Sequence, residues 1–129
     1  MSDGGAKGLA ILVWSCDLDR SELLATPFMA AQAAAALDMQ VKMLFSAQTV
    51  RWLLAEHAER RVGFGAERWT IARHLRVSQD IGVEIRACSQ ALHAAGSMRE
   101  ALGAHCAGVE GMVSFVEQGR ASGWQMLVF

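Results

Sequence analysis

Seven consecutive residues near the start, Gly8-Leu9-Ala10-Ile11-Leu12-Val13-Trp14, carry no polar side chain. A run that short and that apolar fits a strand buried on both faces of a parallel sheet. The rest of the chain alternates such strands with helical stretches. Residues 40–45 read as a second strand, 83–87 as a third, 106–109 as a short strand or its approach, and 124–129 as a last strand. Between them, the alanine-rich stretch 20–37 has a helical period broken at Pro27, where Thr26 is placed to cap a new helix and proline suits the first helical position. Helices are also expected over 46–58, 70–81, 89–95 with Gly96 ending it, 98–102 and 112–121, stopped by Gly123. Residues 59–69 carry charges and two glycines and read as a loop that rims a site or an interface. The expected fold class is α/β, a three-layer α/β/α sandwich with a mainly parallel sheet of about five strands. A small, polar tail over residues 1–7 precedes a single domain over 8–129.

The composition narrows the function. Apolar residues make up 53% of the 129 and charged residues 19%, so surface is left over for subunit contacts. Lysine plus arginine number 12 against 13 acidic residues, which gives no long-range field toward nucleic acid or anionic lipid. No apolar run is long enough to cross a bilayer, and residues 1–8 lack a basic segment followed by an apolar one. The expected compartment is the cytoplasm, where thiols stay reduced. Cys16, Cys88 and Cys106 are widely spaced, with no CxxC pair and no zinc-finger interval, so neither a disulfide scaffold nor a structural zinc site is expected.

Cys88 carries the most chemistry. It stands where the third strand hands over to a helix, so its sulfur would face unpaired amides, which favour thiolate over thiol. A buried, inert cysteine is the plainer alternative. Ser89 and Gln90 would add backbone amides, and Ser89 either donates its hydroxyl to the sulfur or simply caps the helix. In an open parallel sheet ligands gather at the carboxyl ends of strands, where Cys16 also falls. The two thiols would be close if the first and third strands are neighbours, and Cys16 would then act as a resolving thiol; otherwise it is an ordinary loop cysteine. Cys106 lies before a strand, at the opposite edge. Asp17 and Asp19 read as helix caps. His57 and His74 read as solvated or partly buried, His93 lies too far along its helix to reach back to Cys88, and His105 with Cys106 supplies two ligands, short of a metal site. Trp52, Trp69 and Met98 are candidate interface residues. No glycine-rich phosphate loop follows the first strand, which counts against nucleotide or flavin binding.

Several segments in order resemble the DsrE/DsrF-like sulfur-relay family, which includes the DsrEFH and TusBCD carriers. They are Ala10-Ile11-Leu12-Val13-Trp14-Ser15 with Asp17-Leu18-Asp19, then Met39-Gln40-Val41-Lys42-Met43-Leu44-Phe45, then Gly82-Val83-Glu84-Ile85-Arg86-Ala87-Cys88, and finally Gly108-Val109-Glu110-Gly111 through to Met126-Leu127-Val128-Phe129. The resemblance implies a DsrEFH-like fold and Cys88 as the persulfide-bearing cysteine. It implies a cofactor-free relay that accepts sulfane sulfur from a donor protein and passes it to an acceptor protein. Trimers or hexamers with the cysteines near subunit interfaces are implied as well. Cys16 resembles a subset with a second early cysteine. The rival reading is a non-catalytic subunit of the same fold that binds a partner and oligomerises.

Overall fold

The structure, a computed structural model, describes residues 7–129. Its strands are β1 (Gly8–Val13), β2 (Gln40–Phe45), β3 (Val83–Cys88), β4 (Gly108–Glu110) and β5 (Trp124–Val128). They form one sheet in the order β4-β3-β2-β1-β5, and every neighbouring pair is parallel. Parallel neighbours need crossovers, and the chain supplies α1 (Ala25–Ala36), α2 (Ile71–Asp80), α3 (Ser89–Ala94) and α4 (Met112–Gly119). The expected α/β class, with five parallel strands between helices, is the one observed. The tail expected over 1–7 lies outside the described residues except for Lys7, whose backbone bonds Gly123 and Gln40.

Alternation along each strand divides the side chains between two faces. Leu9, Ile11 and Val13 of β1, Val41, Met43 and Phe45 of β2, and Val83, Ile85 and Ala87 of β3 join the larger apolar cluster. Phe28, Ala31 and Ala34 of α1 and Ile71 and Leu75 of α2 cover that face. On the other face Ala10, Leu44 and Cys88 pack with Phe115 of α4, a much smaller cluster. Gly8 begins β1 under the ring of Trp124, and any Cβ there would overlap the indole.

Local chemistry explains most boundaries. Helix α2 starts where expected because Thr70 Oγ1 accepts the Arg73 amide at 3.1 Å. Helix α1 starts two residues earlier than the Thr26 cap implies, with Leu24 at the N-cap position. Pro27 then falls in the first turn, where its missing N–H removes no helical bond. A 3-10 segment, Leu18–Leu23, precedes α1, so the break near Pro27 is real but displaced.

Residues 46–58 differ more. In place of one α-helix they form two 3-10 segments, Ala47–Leu53 and Ala55–His57, separated by extended Leu54. Long-range bonds pin them: Thr49 Oγ1 donates to the Val13 carbonyl at 2.8 Å, Trp52 Nε1 to the Cys16 carbonyl at 2.7 Å, and Gly103 N–H to the Leu53 carbonyl at 2.8 Å. Tertiary partners, not intrinsic helicity, set this backbone.

His74 shows how tightly the α1–α2 side is packed. Its ring stacks on Phe28 with centroids 4.9 Å apart, and burial, then Arg73, pushes its pKa down to about 4. The ring therefore stays neutral in the fold and charges readily once unfolded, so the unfolded chain binds the extra proton between the two pKa values. Stability is full above pH 6.5 and falls as pH drops toward 4, by about 3 kcal/mol from this group. Denaturant unfolding of His74→Phe against the parent, at pH 7 and pH 4.5, should show a clearly shallower acid loss in the variant.

Candidate functional site

Strand β3 ends at Cys88, and the same residue occupies the N-cap position of α3, with φ −67° and ψ 125°. Its side chain makes no capping hydrogen bond, and Ser89 is the first helical residue rather than the cap. Because α3 runs only six residues, its dipole is weaker than a long helix would provide. Cys88 is 3% exposed. It lies on the α4 side of the sheet with Ala10, Leu44 and Phe115, while Ala91, Met112, Leu12 and Trp124 close the cluster and are themselves only partly buried. Ser89 and Gln90, next in the chain, are exposed. The sulfur is thus shielded, but by a thin wall.

The same face carries a group of charges that sequence reasoning missed. Lys42 interrupts the apolar β2, and its Nζ donates to both oxygens of Glu110, at 3.0 and 3.1 Å. Lys42 is 8% exposed and Glu110 9%. Arg86 Nε lies 3.5 Å from Glu110 Oε1 and donates to Glu84 Oε2 at 2.7 Å. Glu110 is the register partner of Cys88 across the β3–β4 ladder. The available signal was parity: Lys42 shares a face with Leu44, and Arg86 with Cys88.

The other sequence candidates fall elsewhere. β2 stands between β1 and β3, which places those strands about 10 Å apart, beyond the roughly 7 Å limit for a disulfide between strand-end residues. Cys16 belongs to the larger cluster on the opposite face from Cys88, and the structure does not bring the two together. Burial, the largest influence, raises the Cys16 thiol above its ordinary range. Burial also raises Cys106, which precedes β4 and whose Sγ lies 3.3 Å from the carbonyl of Gly108, the first residue of that strand. The cysteines form no disulfide.

Asp17 holds the N-cap position of the 3-10 segment without a side-chain cap bond. His57 is lowered by burial first and then by Arg60. His93 is exposed on α3. His105 Nδ1 faces Gln79 Oε1 at 2.8 Å, and among the described residues no three His, Cys, Asp or Glu side chains gather as a metal site would require. Of the three interface candidates, Met98 is exposed, Trp69 is half-buried beneath Arg73, and Trp52 is a core residue anchored to Cys16.

The carboxyl edge of the sheet also holds an open recess of about 440 Å³ between residues 47–53 and α3. Ala47, Gln48, Arg51, Ala94 and Ala95 line it together with Ala91, which also packs against the Cys88 cluster. Ala47 sits at φ 51°, an unusual conformation for a residue with a Cβ. The chain order reverses between β1 and β5, the usual position for a ligand crevice. Here the Phe129 carbonyl accepts the amides of Trp14 and Ser15, which closes that position with backbone.

No family model matches the chain, and no curated protein does. Solved structures do resemble it. The YchN protein of E. coli superposes with a TM-score of 0.73 at 16% identity, covering 95% of this chain and 99% of that one. MTH1491 of Methanobacterium thermoautotrophicum, a protein of unknown function, superposes with a TM-score of 0.70 at 15% identity, covering 94% and 97%. Both have the DsrE/DsrF-like fold, and the likeness establishes that fold for this chain. Among the described residues no helix is long and apolar enough to cross a membrane.

Phe115 is the fully buried residue that α4 contributes over Cys88. Phe115→Ala should cost about 3–5 kcal/mol in denaturant unfolding. In the variant that remains folded, peptide mapping should find Cys88 alkylated by iodoacetamide several-fold faster than in the parent.

Proposed function

We propose that the protein is a small cytoplasmic sulfur carrier in which Cys88 holds sulfane sulfur as a persulfide. The observation that carries this reading is the place of Cys88: at the carboxyl end of β3, behind a thin apolar wall, one residue before exposed Ser89. The thiolate attacks the outer sulfur of a donor persulfide, R–S–SH. The donor S–S bond breaks, R–S⁻ leaves with its electron pair, and Cys88–S–SH remains. An acceptor thiolate then attacks the outer sulfur and regenerates the Cys88 thiolate. The exchange is redox-neutral and uses no cofactor. Partial shielding suits a persulfide, because stray thiols in solution would otherwise remove its outer sulfur. A donor and an acceptor protein are the partners this chemistry requires, and both must reach the sulfur by displacing part of its cover. Cys16, on the other cluster, is outside the exchange in this reading.

A second reading also has an observation behind it. Val113 and Val116 of α4 and Met126, Leu127 and Val128 of β5 are all exposed, more apolar surface than a monomer needs to show. With Cys88 covered, these residues favour a non-catalytic subunit that assembles into a homo-oligomer, a trimer or hexamer, and binds a partner.

Intact-protein mass after incubation with a polysulfide donor separates the two. A gain of one sulfur atom in the parent, absent in Cys88→Ser and retained in Cys16→Ser, supports the carrier. No gain with any sulfane donor leaves the non-catalytic subunit.

A further inference from the structure

A lysine and a glutamate buried together inside a largely apolar sheet face need a reason. Taking both charges out of water costs several kcal/mol each, and apolar residues of the same size would hold β4 against β2 equally well or better. The location supplies the reason. Glu110 and Cys88 are partners in the parallel β3–β4 register, so their Cα atoms lie about 5 Å apart with side chains on the same face. Arg86 is two residues before Cys88 and shares that face. Lys42 reaches across β3 to meet the Glu110 carboxylate.

The neighbouring elements also carry Glu84 on β3, Arg51 on the 47–53 segment, His93 on α3 and Glu117 on α4. None of them is fully buried. Among the described residues the buried charges on this face are therefore one anion, Glu110, whose Cα is the register neighbour of Cys88, and one cation, Lys42, which bonds it from β2, with the Arg86 guanidinium, whose side chain is 30% exposed, as the second cation.

We propose that Lys42, Arg86 and Glu110 are positioning residues that set the charge felt by Cys88 and so decide how readily its thiolate forms and reacts. In a poorly hydrated cluster a charge at this range acts with far less screening than in water. Lys42 and Arg86 favour the anionic sulfur, of thiolate and persulfide alike. Glu110 opposes it and at the same time holds both cations against the sheet.

The inference rests on the carrier reading for its purpose, but its test does not depend on sulfur transfer. The rate of Cys88 alkylation by iodoacetamide is followed from pH 6 to pH 10 by peptide mapping, with circular dichroism as a check on folding. Glu110→Gln removes the anion and should move the rate curve to lower pH, raising the rate at pH 7 by about fivefold or more. Lys42→Met should move it to higher pH and lower that rate by a similar factor. The double variant should return close to the parent. Arg86→Gln, at a partly exposed position that tolerates the change, should behave as Lys42→Met does and serves if the buried variants do not fold.

A purely structural clamp predicts that every variant loosens β4 and speeds alkylation. Shifts in one common direction, or none, overturn the proposal. Opposite shifts in a protein that takes up no sulfur would leave the charge assignment standing and remove the carrier.

Discussion

Parallel pairing governs this molecule. Strands β1, β2 and β3 each have neighbours on both sides, so cover must come from above and below the sheet. The chain provides it unequally. One face receives α1, α2 and the 3-10 segment Ala47–Leu53, with Phe28, Trp52 and Ile71 fully buried. The other receives α4, whose only fully buried large side chain is Phe115. Cys88, Lys42, Arg86 and Glu110 lie on the thinly covered face.

The ion pair shows how charge can be buried on this face. Lys42 and Glu110 satisfy each other through two hydrogen bonds, so their desolvation is largely offset. Arg86 connects them to Glu84 and to the surface. This network balances two acids against two bases in charge, on the same sheet face that buries Cys88. It also ties the three-residue β4, too short to hold by its ladder alone, to a strand in the middle of the sheet.

Much of the architecture was legible from local pattern. An unbroken apolar run marked β1, alternating apolar positions marked β2 and β3, a largely apolar ending marked β5, and the Thr70 cap marked α2. Residues 46–58 misled because Val50, Leu53 and Leu54 recur at three and four, and a 3-10 segment buries the same set over two turns. β4 was placed two residues early at its start because three residues carry almost no period. The position of Cys88 was readable, but its shielding was not, since Phe115 comes from a helix beyond β4. Lys42 and Glu110 are 68 residues apart, and nothing local connects them. Only the folded register brings Glu110 beside Cys88.

The two rims of the sheet are not equally guarded. At β4 only three residues are available, and they are tethered from within by Lys42. At β5 five residues run along the rim, with Met126, Leu127 and Val128 uncovered. An intruding polypeptide would gain ladder bonds and greasy contact at the second rim and almost nothing at the first, so misassembly of heated or concentrated protein has a preferred address.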